Sequence, residues 1–485
     1  MLKTWIAIAF CFATASIAQA ANITVPGSYA TIQAAINAAN DGDTITLTNS
    51  ATFQEDLVIA KRLDIVAAAG QTPVIQCGKT RTDAQLVFNP GADGTRFGSL
   101  SGGRITLQYR KQALSSSSFY TGMILFDHTT GTQVTLTNLD VNEVADAGVT
   151  PTTTSLATTV IIHGQIPNIV NLAYCNFDAS RTFYTNSIVQ NHFLRLGNEW
   201  NATPYATRLG GPTYNLFHVR YKNYMRAGIL PNFKDARINI SYSDCGVTVG
   251  DLVGGSASRP WGSVYSGRLD APWSGSFDHS IFRGAGGSNN VWLSSNGTSV
   301  TMTWCVLLSK YISTDPNNTY GNLYFGTNGN GTAGAGVCNV TADHCDFVDL
   351  TTLSATYYAP ICRPATVTTG LTVKLAITNS NIYASTNAPV CVTLATSDTL
   401  TSDFNNVFGP KASTGYTAGP NDTAWDPMYY DAAAGDLRYL NHTLSTRASS
   451  GGPIGVNADY TDPPSGIIFV PIPQLNAARN WTSLK

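Results

Sequence analysis

Between residues 134 and 410 one short pattern recurs nine times: apolar, outward, turn, small or apolar, variable, apolar. The turn position is Asn138, Tyr174, His218, Tyr242, His279, Trp304, His344, Asn379 and Phe404. Three residues beyond it stand Val141, Phe177, Tyr221, Cys245, Phe282, Leu307, Phe347, Ile382 and Val407, all apolar or aromatic. Two residues before it stand Leu136, Leu172, Leu216, Ile240, Phe277, Met302, Ala342, Ile377 and Ser402, polar only in the last copy. A helical repeat would need apolar residues at i, i+3, i+4 and i+7; here the period is two, broken by a turn and resumed, so each unit is strands. The copies lie 24 to 44 residues apart, a bare unit of about 24 with insertions of varying length. Successive copies run the same way, so their strands stack in parallel about 4.8 Å apart and their inward residues form ladders. The prediction is an all-β, single-domain parallel β-helix.

A stack of coils needs its open end covered. In residues 29–40, Ile32, Ala35, Ile36 and Ala39 make one apolar helical face, Asp41-Gly42-Asp43 ends it, and Thr44-Ile45-Thr46-Leu47 begins a strand, which predicts an N-terminal capping helix. Lys3, an apolar run from Trp5 to Ala15 and the small-x-small sequence Ala18-Gln19-Ala20 read as an export signal. The expected division is therefore a signal peptide (1–20), a cap of helix plus first strand (21–50), the β-helix (51–425) and a closing segment and cap (426–485). No later segment is long and apolar enough for a transmembrane anchor. The expected location is secreted or extracytoplasmic.

Charge changes the picture by exclusion. Lys and Arg number 28 against 30 Asp and Glu, a net charge of -2, and charged residues are 12% of the chain, about half the usual 25%. A nucleic-acid partner held by bulk charge is excluded. The nine cysteines include Cys175, Cys305 and Cys345 in the small inward column just after the turn, where they read as core filler. Cys305 and Cys345 fall on consecutive rungs, too far apart at Cβ to be bridged without tilting.

The run from Val25 to Ile45, with Pro26-Gly27, Thr31-Ile32-Gln33, Ala35-Ile36 and Gly42-Asp43, resembles the opening of the secreted right-handed parallel β-helix proteins of the pectate-lyase-like superfamily. Asp426-Pro427-Met428-Tyr429-Tyr430-Asp431, Gly435-Asp436-Leu437-Arg438 and Gly452-Pro453-Ile454-Gly455 look like the closing segment of bacterial members. The resemblance implies a right-handed solenoid and a polysaccharide partner. Its members span lyases, glycoside hydrolases, adhesins and tailspikes, so the reaction does not follow from it. Thr341 to Phe347 is similar to the Asp-His-Cys segment of pectate lyases, but only Arg363-Pro364 is left of their later Arg-x-Pro-x-x-Arg element. The polygalacturonase motifs are missing.

Candidate chemistry then comes from outward positions. The column just before the turn contains Asp278, Asp343 and Asp403, and the column two residues after it contains Asp140, Arg220, Asp244 and Asp346. Asp343, His344 and Asp346 flank one corner, and Asp278 lies two rungs from Asp343, about 9.5 Å by strand spacing, at the upper limit for an inverting pair of carboxylates. The same two aspartates at one corner, Asp343 and Asp346, are alternatively a calcium site. The loop 250–276 offers Arg259, Trp261, Tyr265, Arg268 and Trp273, flat rings and donors of the kind that clasp a sugar. Two classes stay open: a secreted polysaccharide-binding protein that also cleaves as a lyase or hydrolase, with Asp343, Asp346, His344 and Asp278 catalytic and Arg220 and the loop residues binding, or a non-catalytic adhesive or structural β-helix.

Overall fold

The computed structural model describes residues 20–456 except the segments 79–83, 112–121, 128–132, 146–155, 164–168, 180–189, 197–210, 223–226, 232–233, 247–261, 267–270, 286–288, 311–320, 327–335, 351–358, 364–369, 386–391, 410–412 and 432–435. The export signal and the tail beyond Val456 lie outside the described residues. Alternating strands wind through three parallel sheets, of thirteen (A), twelve (B) and eleven (C) strands among the described residues. Each coil contributes one strand to A, then B, then C, as in Thr213–Phe217, Arg220–Lys222 and Ala227–Pro231. The register carries the repeat unbroken: Leu136 pairs with Leu172, Leu172 with Leu216 and Leu216 with Ile240.

The inward columns behave as their alternation requires. Leu139, Cys175, Val219, Ser243, Ser280, Cys305, Cys345, Ser380 and Asn405 are all buried. The polar members are satisfied from coil to coil: Ser280 Oγ accepts from Ser243 N at 3.1 Å, and Ser380 Oγ accepts from Cys345 N at 3.0 Å. Cys305 and Cys345 are free thiols, as are Cys77, Cys175, Cys245, Cys338 and Cys362, so the inward cysteines fill space and do not crosslink the coils. Aromatic rings fill the wider parts, with Phe177, Phe193 and Tyr221 in one group and Trp273, Phe277 and Phe282 in another.

The insertions between repeats fall in the B-to-C and C-to-A connections, and the A-to-B corner never varies from Asn138 onward. That constancy is why the corner shows in the sequence. Coiling begins earlier than the repeat suggests. Asn22–Val25 and Thr44–Leu47 already pair in sheet A, and longer A-to-B connections in the first coils conceal the period. The helix Ile32–Ala38 is N-capped by Thr31, whose hydroxyl accepts from Ala34 N at 3.2 Å, and it sinks Ile32, Ala35 and Ile36 into the core. Glu55 accepts from the N–H groups of Ile32 and Gln33, both at 2.9 Å, at the positive end of the helix.

The described residues of the other end run along the side of the solenoid. Residues 413–423 continue the last coil, with Thr414 bridging to Thr393 and Thr423 to Asn406. The hairpin Tyr429–Asp431 with Asp436–Tyr439 and the residues on to Val456 then fold back over the outer face of sheet B. There Leu437 and Val456 cover Val306, Leu308 and Val348, an apolar patch in columns that are polar or charged in most other coils. This strap covers the flank of the solenoid.

Candidate functional site

The site is built at the A-to-B corner. All nine turn residues take left-handed backbone, with φ from 45° for His279 to 57° for Asn138. Every side chain there carries a Cβ, and the left-handed region costs such residues about 1–2 kcal/mol each. The corner remains inside the hydrogen-bond ladder, since the turn N–H from Asn138 to Asn379 reaches the carbonyl of the next coil, as from His218 N to Ser241 O at 3.1 Å and His344 N to Thr378 O at 3.2 Å, while Phe404 N in the last copy donates to Asp403 Oδ1.

Six consecutive corners carry rings, and the rings stack along the solenoid. Centroids are 4.8 Å apart for Tyr174 and His218, 5.4 Å for His218 and Tyr242, and 4.9 Å for Tyr242 and His279. They are 6.0 Å apart for His279 and Trp304, and 4.2 Å for Trp304 and His344. Interplanar angles in this series run from 7° to 25°. Aromatic pairs contribute about 0.5–1.5 kcal/mol each beyond burial, the same size as the backbone strain, so the stack offsets what the turn gives up.

Two histidines of the stack follow an aspartate. His344 Nδ1 lies 3.0 Å from Asp343 Oδ2, and Asp343 Oδ1 accepts from Thr378 Oγ1 at 2.8 Å and Asn379 Nδ2 at 2.7 Å. Burial pulls the Asp343 carboxyl upward, but the hydrogen bonds from His344, Asn379 and Thr378 outweigh it and hold the group at about 2. Asp343 is therefore an ionised acceptor that orients the imidazole, leaving Nε2 as the ring nitrogen free of the carboxylate. At the other histidine, His279 Nδ1 stands 2.8 Å from Asp278 Oδ1 without making a hydrogen bond to it, and Asp278 Oδ1 accepts from Thr303 Oγ1 at 2.9 Å. Asp278, Thr303 and Asp343 share one row on consecutive coils, so the two aspartates are two rungs apart, as the repeat places them. On either side of Trp304 stands an imidazole beside a carboxylate, and that of His344 is oriented by its hydrogen bond to Asp343. Such a corner can exchange a proton through imidazole, with Asp343 as the orienting charge.

Asp346 departs from the expected role. It is 0% exposed on sheet B beneath the strap, where Val456 N donates to its Oδ2 at 2.9 Å and Tyr429 Oη to its Oδ1 at 3.4 Å. Desolvation pushes its carboxyl up to about 7, only partly opposed by Val456, Asn381 and Tyr429. It is an internal anchor and does not face Asp343 across an open corner. The donor set also does not fit calcium: both Asp343 oxygens are occupied by N–H and O–H donors, and Asp346 is enclosed. Among the described residues no group of three or more His, Cys, Asp or Glu has a metal-holding arrangement.

The predicted binding residues scatter. Trp273 is 2% exposed and packs inside the solenoid against Phe277, so its ring has no face to offer a sugar. Tyr265 is fully buried on sheet C, edge to face with Trp292 at 4.6 Å. Arg363 is also buried, paired with Asp398 and donating to Leu371 O. Arg259, Trp261 and Arg268 lie outside the described residues. Arg220 does stand half-buried on sheet B, in register between Asn176 and Asp244. This face carries interleaved charges, with Arg104 on Asp140 at 2.7 Å, Lys222 on Asp178 at 2.8 Å and Arg283 on Asp244 at 2.9 Å.

Two features went unread in the sequence. One is the ring stack, whose signal was the run Tyr, His, Tyr, His, Trp, His in the turn column. The other is an amide ladder on the outer face of sheet A three residues before the turn position. Asn171 Nδ2 donates to Thr135 Oγ1 at 3.2 Å, Asn215 to Asn171 at 2.8 Å and Asn239 to Asn215 at 2.8 Å.

No protein-family model matches the chain, and no curated protein does. Among solved structures, the crystal structure of pectate lyase Pel9A is similar at 10% identity and a TM-score of 0.41, over 92% of this chain and 98% of that one. The receptor-binding protein of bacteriophage Det7, a podoviral tailspike in a myovirus, is similar at 10% identity and a TM-score of 0.26, over 82% of this chain and 77% of that one. These are likenesses of fold, and no residue role passes from either to this chain; what the chain itself displays is a parallel β-helix.

Proposed function

We propose that the protein binds an extended polysaccharide along the edge where sheets A and B meet. The observation that carries this reading is the repetition of hydrogen-bonding side chains at the coil spacing: amides on sheet A, then hydroxyls, imidazoles and carboxylates at the corner. A track with one set of donors and acceptors about every 4.8 Å suits a polymer of hydroxyl-bearing units of similar length, and a backbone already held in sheets keeps the ordering cost of binding low. The export signal read in residues 1–20 would bring the chain to such polymers outside the cell. No helix among the described residues is long and apolar enough to cross a membrane.

A second reading, cleavage, is favoured by one observation, the carboxylate-oriented imidazole of His344. In it His344 and His279 exchange protons with the glycosidic oxygen or water, and Asp343 and Asp278 are positioning residues. The test is incubation of the mature protein with neutral and acidic polysaccharides while binding, reducing ends and absorbance at 235 nm are recorded. Binding with rising reducing ends that His344→Ala removes supports hydrolysis. Rising 235 nm absorbance identifies a β-elimination lyase. Binding without new ends leaves a carbohydrate-binding β-helix, and no binding to any polymer refutes the proposal.

A further inference from the structure

Upstream of the two aspartate and histidine pairs, the same edge exposes an aromatic surface that no step above uses. Phe217 and Tyr242 are 39% and 40% exposed. Phe217 occupies the row just before the corner, and its row neighbours in the adjacent coils are the small residues Ala173 and Ser241. Its ring is nearly perpendicular to those of the stack, at 82° to Tyr174, 80° to His218 and 75° to Tyr242. Both faces of His218 are already taken by Tyr174 and Tyr242, so Phe217, 4.4 Å away, meets the edge of His218 with a face. Its opposite face is then turned outward, parallel to the run of the coils.

The amide ladder lies directly beside this ring, because Asn215 is two residues before Phe217 on the same side of the strand. Each amide has two N–H groups and two acceptor lone pairs. The ladder uses one N–H of Asn171, Asn215 and Asn239 and one lone pair of Asn171 and Asn215, which leaves donors and acceptors directed at whatever lies on the face. Charge is almost missing here. On the sheet A face of these three coils the described side chains are Ile169, Asn171, Ala173, Thr213, Asn215, Phe217, Arg237, Asn239 and Ser241, and Arg237 sits at the far end of its strand.

We infer that Phe217, Tyr242 and the ladder Asn171, Asn215 and Asn239 form the anchoring subsite of the track, and that its ligand is a neutral, hydroxyl-rich glycan. The inference rests on the polysaccharide reading and adds its place and its chemistry. The apolar C–H face of a pyranose lies on the outward face of Phe217, and its equatorial hydroxyls, each both donor and acceptor, pair with amides that offer both. A polyanion would meet no row of cations on this face, and an apolar peptide would leave the amides unsatisfied, which costs roughly 1–3 kcal/mol per buried group.

The test is calorimetric titration of the full chain and its variants with soluble neutral glycans (a β-glucan, a galactomannan, an arabinoxylan) and with polygalacturonate and alginate. Phe217→Ala should weaken neutral-glycan binding roughly tenfold, the equivalent of one stacked ring contact, and Asn215→Ala several-fold, with unchanged thermal midpoints. Neutral binding that survives Phe217→Ala overturns the subsite while the polysaccharide reading stands. Binding to the polyanions alone overturns the neutral chemistry. Failure of the parent protein to bind any glycan overturns both, and loss of self-association in Phe217→Ala with no effect on glycans would make the patch a contact between copies.

Discussion

Replacing Asp346 with asparagine isolates the charge beneath the strap. The carboxyl is fully buried, and desolvation raises it from 3.8 to about 7. The titratable groups that interact with it are Tyr429 and Tyr439 of the strap and Cys345 beside it, none of them a cation. A carboxyl raised in the folded state binds its proton more tightly there than in the unfolded chain. Its contribution is therefore fully present below about pH 4 and is lost as pH rises to about 7. Three pKa units at about 1.36 kcal/mol each make roughly 4 kcal/mol. With an unfolding entropy of about 2.1 cal/mol/K per residue over the 485 residues of the chain, that equals roughly 4 °C in thermal midpoint. Asparagine keeps an oxygen for Val456 N and has no charge to desolvate. The difference between Asp346→Asn and the parent, measured by thermal melts from pH 4 to pH 8, should start near zero and grow in favour of the variant. Groups such as Asp343, held low and titrating in the opposite sense, are common to both proteins and cancel. A difference that stays flat with pH, or that favours the parent at pH 8, would refute the reasoning.

Other consequences follow from the same packing. Burial pushes the thiols of Cys175, Cys338 and Cys362 up to about 12, so peptide mapping after thiol labelling at pH 8 should find them unmodified in native protein and modified in denaturant, with no effect of reductant on the thermal midpoint. At the corner, His344→Asn should destabilise less than His344→Val, because asparagine accepts φ near 50° and a β-branched side chain does not; denaturant melts that rank them in the reverse order would contradict a strained turn. Arg363→Met removes one partner of the buried pair with Asp398 and should cost about 3–5 kcal/mol, seen as a lowered unfolding midpoint, while the double variant Arg363→Met with Asp398→Leu should recover much of it.

The period of two, the nine corners, the inward cysteines and the solenoid itself were legible in the chain because alternation within a strand is a local property, and because the A-to-B corner carries no insertion from Asn138 onward. Even the two-rung spacing of Asp278 and Asp343 followed from counting copies. The fate of Asp346 did not, since the segment that buries it is 110 residues away at Val456 and its docking depends on an apolar patch shared by two adjacent coils. Trp273 and Tyr265 belonged to a stretch that looked like a polar loop, yet both sit at strand positions where neighbouring coils decide burial. The ring stack lies between these cases. Its members were named one by one in the turn column, but only the parallel register brings residues 24 to 44 positions apart into face-to-face contact. Sequence determined which way each side chain points from its own strand; tertiary structure decided what it meets there, because burial and ionisation depend on neighbours that folding delivers from distant coils.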